Sequence, residues 1–297
     1  MLRYFVKIAC LVPFGLFGQE IVLNSPQWIA RSVMNPTNIS LAKDFRFSAL
    51  LTTKKLWDGI QGSPRIYGVA IDAKPDELNG IGFHAWNHDY AALRYTTVSL
   101  PYVRVVKLSP HDGFLLGLTT TFTSSTLDVS DFTHLERLDV VAADQSSIFL
   151  NAIFGASYYF KDELRVGGFI GNFLTNASME GRNIINYSSY ASRFYGLDFT
   201  TTINNDFIQG YTIILDGTVR MNDYTGPIAN LSVRIGQERV LIGAGYRTNG
   251  EINYIAHFGV NTRGELGYVY TYSLNELQQY SNGSHQVFYR YNLWNRQ

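Results

Sequence analysis

The sequence predicts an all-β chain: a transmembrane antiparallel β-barrel of about fourteen strands, of the outer-membrane type. Three observations carry this. Runs of about ten residues recur with a side-chain period of two, the length and pattern of a strand crossing a bilayer with lipid on one face and a polar lumen on the other. The connections between these runs sort by length, short after even-numbered runs and long after odd ones. No stretch beyond the first eighteen residues reaches the roughly 18 apolar residues of a membrane helix, and a closed barrel is the other way to satisfy backbone groups in lipid.

In chain order, residues 1–18 read as a secretory signal. Arg3 and Lys7 give the charged start, Ile8 to Phe17 the short apolar stretch, and Gly18 a small residue before the cut. Cys10, the one cysteine, lies inside it, so the mature chain is expected to hold no disulfide, zinc-cysteine site or thiol nucleophile. Segment 19–44 carries Ser25-Pro26-Gln27-Trp28 and Asn35-Pro36-Thr37-Asn38. It is too irregular for a strand and too short for a domain, and is expected either in the periplasm or folded back into the lumen. The barrel is expected over 45–297.

The strand runs fall at about 45–53, 63–72, 80–88, 96–107, 113–124, 150–160, 164–173, 192–202, 209–221, 227–236, 239–247, 252–260, 265–273 and 284–294. In the ninth, Tyr211, Ile213, Leu215, Val219 and Met221 share one face, and Thr212, Asp216, Thr218 and Arg220 the other. The eleventh sets Val240, Ile242, Ala244 and Tyr246 against Arg239 and Arg247. The twelfth sets Ile252, Tyr254, Ala256, Phe258 and Val260 against Asn253, His257 and Asn261. The last sets Val287, Tyr289, Tyr291 and Leu293 against Gln286, Phe288, Arg290 and Asn292. The pairs Gly167-Gly168 and Gly243-Ala244-Gly245 lie within strands and read as points of bending rather than phosphate loops.

Short turns are expected at Lys161-Asp162-Glu163, Gln237-Glu238 and Thr262-Arg263-Gly264, and long loops at 125–149, 174–191 and 274–283. Outer-membrane barrels keep short turns in the periplasm and long loops outside, and a soluble sandwich has no reason to sort its loops by parity. The acidic loop 125–149 (Asp128, Asp131, Glu136, Asp139, Asp144 against Arg137) and the Asn/Tyr-rich loop 174–191 (Asn176, Asn183, Asn186, Tyr187, Tyr190) are candidate partner surfaces.

Composition narrows the function. Without Arg3 and Lys7 the 24 basic residues become 22, against 24 acidic ones, leaving no basic excess to grip nucleic acid. The 20 tyrosines, 19 phenylalanines and 26 glycines beside 8 prolines suit aromatic girdles and curving strands. His84, His88 and Asp89 invite a metal, but residues four apart on a strand lie about 13 Å apart, too far to share one ion. Ser, His and Asp are all present, yet no spacing brings them into a triad. No catalytic, cofactor-binding or metal residue is assigned, and no cofactor or enzyme activity is expected.

Other features point to a family. Asn35-Pro36 lies before the first strand, Trp57 precedes Gly62-Ser63-Pro64, and Gly267-Tyr268-Val269-Tyr270 is followed by Ser281-Asn282-Gly283-Ser284-His285-Gln286. Together these resemble the PorP/SprF family, outer-membrane components of the type IX secretion system and its linked gliding machinery. The Gly-Ser-His corner is the most specific piece. The chain departs from the family pattern at Gln286 (usually Glu), Thr271 (usually Asp) and Thr37-Asn38 (usually Ala, then Gly), which bears on which partner it serves more than on its fold.

The resemblance implies an outer-membrane location and a binding or scaffolding role, helping to secrete or anchor a surface protein such as an adhesin with a C-terminal sorting domain. It also implies contact with periplasmic ring proteins of the machine. Short turns and segment 19–44 would then face periplasmic partners, and long loops the exported protein. The motif residues Asn35, Pro36, Trp57, Pro64, Gly283, Ser284 and His285 are the candidate structural or partner positions. Physically, Asn35-Pro36 reads first as a turn starting the barrel and Gly283-Ser284-His285 as a corner, with Gly283 free to take a positive φ. The alternatives are a passive channel for small solutes or lipids, a membrane-embedded hydrolase, and a soluble β-sandwich.

Overall fold

Fourteen antiparallel strands close on themselves, each paired with its neighbours in sequence and β1 paired with β14. The computed structural model describes residues 29–40, 45–90, 93–127, 145–161, 163–172, 193–204, 211–222, 226–237, 240–260 and 263–294. The signal segment, Cys10, Trp28, Arg239, Asn261, and the singled-out residues of the acidic and Asn/Tyr-rich loops lie outside them.

The strands are β1 (Phe45–Lys55), β2 (Arg65–Ala73), β3 (Asn79–Tyr90), β4 (Leu93–Lys107), β5 (Asp112–Leu127), β6 (Gln145–Phe160) and β7 (Leu164–Gly171), followed by β8 (Phe194–Asn204), β9 (Thr212–Asn222), β10 (Ile228–Gln237), β11 (Val240–Arg247), β12 (Glu251–Gly259), β13 (Gly264–Ser273) and β14 (Ser284–Trp294). Every strand run expected from periodicity has its counterpart.

The largest difference lies at β5 and β6. They extend past the expected ends, pairing from Ser124↔Ile148 out to Leu127↔Gln145, so their connection shrinks to 128–144. A ladder beyond the bilayer need not keep one face apolar, so the Ser/Thr-rich sequence there carries no alternation. Connections of nine or more residues all follow odd strands, and even strands are followed by two to seven residues. The sorting runs one way only, since 91–92, 223–227 and 248–250 follow odd strands and are also short.

The two faces of the wall divide as the alternation requires. Leu51, Phe83, Leu100, Leu118, Phe154, Leu197, Val219, Ile242, Tyr254 and Val287 stand exposed on the outside. Inward residues are mostly polar and buried: Thr52, His84, Thr119, Asn151, Asp216, Arg220, Arg247, Asn253 and Gln286. Such a band of outward apolar groups, with the seam closed by backbone hydrogen bonds, places the chain in the outer membrane.

Of the five aromatic residues buried among the described ones, Tyr95 carries a hydroxyl, and the four that break the polar rule each cover a glycine that is the cross-strand partner: Trp86 over Gly68, Phe169 over Gly196, Phe194 over Gly171 and Phe288 over Gly267. A Cβ at Gly68 or Gly267 would lie 2.0 Å from the facing ring. These glycines give the ring a place against the wall, a device that pins register.

Residues 29–40 lie inside the barrel. A one-turn helix (α1, Arg31–Met34) and a 3-10 turn (Pro36–Ser40) fold there, with Ile29, Ser32, Asn35, Thr37 and Ile39 buried. The described part of the N-terminal segment therefore meets the lumen wall, and the expectation that it faces periplasmic partners does not hold for these residues. A short helix of this kind has no membrane role of its own; among the described residues no helix is long and apolar enough to span a bilayer.

Candidate functional site

Two constellations gather the candidate residues. The first is the lock between the luminal segment and the wall. Asn35 Nδ2 donates to Asp198 Oδ1 of β8 at 3.1 Å, and Asn38 Nδ2 to Asp198 Oδ2 at 3.4 Å. Arg165 of β7 binds the same carboxylate at 2.8 Å and donates from its other nitrogen to Ser157 Oγ at 3.2 Å. Ser157 lies 2.5 Å from Thr37 Oγ1, and Thr37 donates from its hydroxyl and its amide to Asn35 Oδ1, at 2.7 and 3.1 Å. The bonds close a ring through Asn35, Thr37, Ser157, Arg165 and Asp198, all five buried. A buried ion pair is tolerable only when its remaining hydrogen-bonding positions are filled, and the luminal segment supplies those partners.

The wall is shaped for this segment. A Cβ on Gly155 would sit 2.2 Å from Asn35 Oδ1, on Gly117 2.8 Å from the Pro36 ring, and on Gly80 2.7 Å from Ile39. Elsewhere Arg290 of β14 donates to the Ile29 carbonyl at 2.8 Å. Met34 packs with Ile153, Phe169 and Phe194, and Ile39 with Val103 and Leu115. The segment thus bridges the lumen from β14 to β8 and returns to β3–β5. Asn35 and Pro36 do not start the barrel; they anchor this bridge from within. Of the inward glycines facing this segment only Gly167, whose Cβ would meet Ser157, Asp198 and Asn35, was singled out in the sequence, and there it read as a point of bending; Gly80, Gly117 and Gly155 were not singled out.

Ser32, Asp72 and His84 also meet, and their geometry bears on hydrolytic chemistry. Ser32 Oγ donates to Asp72 Oδ2 at 2.9 Å. His84 Nε2 lies 3.2 Å from Ser32 Oγ and 2.9 Å from Asp72 Oδ1. Serine and aspartate share one ring nitrogen, while Nδ1 is buried without a partner among the described residues. A nucleophilic triad needs the carboxylate on the nitrogen opposite the serine. The trio instead ties α1 to β2 and β3. Among the described residues no group of three or more His, Cys, Asp or Glu is arranged to hold a metal; His84 and His88 both point inward, with His88 stacked on Tyr90.

The second constellation is at the other end of β1, on the rim that carries the long loops. Here the structure brings Trp57, Pro64, Gly283, Ser284 and His285 together across the barrel seam. Ser284 Oγ accepts from the Trp57 amide at 3.0 Å. The Asp58 amide donates to the Gly283 carbonyl, and the Asn282 amide to the Asp58 carbonyl, both at 2.7 Å. The Leu56 amide donates to the Pro64 carbonyl at 2.9 Å, closing the β1–β2 loop.

Gly283 takes φ +95°, and the Tyr270 ring passes where its Cβ would stand. Trp57 takes φ +50°, a left-handed conformation uncommon outside glycine. His285 faces outward, its Nδ1 2.6 Å from the Tyr268 hydroxyl and its ring against Tyr270. Tyr270 donates to the Asn282 carbonyl at 2.9 Å. The hydrogen bond from Lys55 holds the Asp58 carboxyl below the usual carboxylate range. Loops 56–64 and 274–283 therefore form one docked platform over the seam, with Tyr280 and Leu274 exposed on it.

The profile of the family described as type IX secretion system membrane protein PorP/SprF matches residues 28–291. No curated protein matches the chain. Among solved structures, the fold is similar to that of the Acinetobacter baumannii outer membrane protein Omp33, with TM-score 0.54 and 5% identity over 84% of this chain and 99% of that one. It is also similar to the Pseudomonas putida toluene transporter TodX, with TM-score 0.50 and 10% identity over 89% and 94%. A Pseudomonas aeruginosa FadL homologue gives TM-score 0.50 and 10% identity over 93% and 96%. At these identities the likeness is one of barrel fold.

Proposed function

Since the chain belongs to the PorP/SprF family of type IX secretion system membrane proteins, we propose that within that system's outer-membrane apparatus it acts as a blocked, non-catalytic barrel that helps deliver or anchor a surface protein. The observation carrying this reading is the luminal bridge. A segment held by Asn35 to Asp198, by Ser32 to His84 and by Ile29 to Arg290 stands across the path a solute would take. What remains for contact is the two rims. The platform of loops 56–64 and 274–283 is the surface offered to exported cargo, an adhesin with a C-terminal sorting domain. The short turns on the other rim are offered to periplasmic ring proteins.

The channel reading draws on the barrel likeness to a toluene transporter, and the bridge argues against it. Deleting the gene and comparing surface proteins tests the proposal. One surface protein should be lost and should return with the full chain, while uptake of small solutes stays unchanged. Unaltered surface proteins with impaired solute uptake would replace the delivery reading with the channel.

A further inference from the structure

On the lipid-facing side of the seam, outward residues of β14, β1, β2 and β3 leave a groove of about 550 Å³. Leu51, Tyr67, Val69, Ala85, Val287 and Tyr289 line it, and small outward groups (Thr53, Ala85) keep it open. Its volume is in the range of small-ligand sites. In a bilayer such a hollow is filled by hydrocarbon, since water there has no partners.

The strand register sets a charged row directly above it. Lys55 pairs with Arg65, Arg65 with Asp89, and Asp89 with Arg94, each two residues outward of a groove-lining row. Lys55 is bound to Asp58, and Arg94 Nε to Asp89 at 2.9 Å. Three cations face two carboxylates. The Arg65 side chain, exposed between them, makes no hydrogen bond or ion pair with the described residues.

We propose that this is a binding site for a phosphorylated glycolipid of the outer leaflet, with one acyl chain in the groove and its phosphate on Arg65. The row lies at the rim carrying the long loops, which in an outer-membrane barrel is the outer-leaflet side. A guanidinium offers paired donors that match phosphate geometry, and cations at a membrane surface draw anionic headgroups. The inference rests on the outer-membrane location and is independent of the delivery reading.

Native mass spectrometry of the detergent-purified full chain, titrated separately with lipid A and with phosphatidylglycerol, tests it. One lipid A molecule should bind in preference, and Arg65→Ala should weaken it about tenfold. Ala85→Trp, which fills the groove, should remove the same adduct, while Leu197→Trp on the far wall should leave it. Arg65→Glu supplies the charge test should the groove variant fail to fold. Equal binding of phosphatidylglycerol, or a lipid A adduct unchanged by Arg65→Ala and Arg65→Glu, would overturn the assignment. Loss with the charge variants alone while a folded Ala85→Trp binds normally would overturn the groove.

Discussion

At the scale of single residues, the two hydroxyl and carboxylate caps decide how far each rim is fixed. Ser284 is buried and is the acceptor for the Trp57 amide, whose residue is held at positive φ. Ser284→Ala removes that acceptor and should lower stability by about 1–3 kcal/mol, read as an earlier urea midpoint in detergent, with the strands intact by circular dichroism; an unchanged midpoint would show that the cap contributes nothing.

On the opposite rim, Asp76 accepts from the Asn79 side chain at 2.7 Å and from the Leu78 and Asn79 amides at 2.7 and 2.8 Å. These bonds, the Asn79 side chain first, hold its pKa below the usual carboxylate range. Because the folded value is the lower one, the turn's contribution is full above the unfolded pKa of about 3.9 and is lost as pH falls through the folded value. Asp76→Asn should therefore be less stable than the parent near pH 7 and converge on it near pH 2; parallel curves would refute the link.

Candidate residues were legible in the sequence here because turn chemistry is local. Gly283-Ser284-His285 announced a corner, and Trp57 and Pro64 marked a separate stretch with Gly62-Ser63, but nothing local told that Ser284 would cap Trp57, since the two lie 227 positions apart.

At the scale of elements, every strand was readable, except for the outer ends of β5 and β6, whose Ser/Thr-rich sequence carries no alternation. A period of two is written in each strand by itself: Val287 and Gln286, or Ile242 and Arg247, carry their side of the wall whatever their neighbours do. The luminal segment was not readable in that way. Its placement depends on Asp198, Ser157 and Gly155, which are distant in sequence, and on a ring of bonds that exists only once β6, β7 and β8 are assembled. The wall glycines carried a trace of it. Gly117 and Gly155 are cross-strand partners, so two adjacent inward positions are bare where Asn35 and Pro36 press.

Gly155→Val exploits this. Valine suits a strand, yet its Cβ meets Asn35 Oδ1 at 2.2 Å, so the segment rather than the wall should yield. Planar-bilayer recordings should then show conductance that the parent lacks. Asn35→Ala, which breaks the ring without crowding it, should do so less often. Closed recordings from a folded Gly155→Val barrel would mean that something other than residues 29–40 blocks the lumen.

At the scale of the whole molecule, a blocked barrel has two ways to take part in moving a protein across a membrane: it can open sideways, or it can stay shut and hold other components. The seam argues for the second. β1 and β14 run in register from Phe47↔Leu293 to Lys55↔His285, and the rim platform ties the same two strands again through Trp57, Asp58, Asn282 and Ser284. Parting them in lipid would strand backbone groups at a cost of several kcal/mol each, with no compensating partner among the described residues. The only cysteine is Cys10, so a disulfide can be placed without interference. Ala49→Cys with Tyr291→Cys, cross-strand partners on the lipid side of the seam, should cross-link and leave surface delivery in whole cells at the level of the reduced protein. A barrel that works by parting its seam would lose delivery on oxidation and regain it on reduction, and that result would replace a fixed scaffold with a gate.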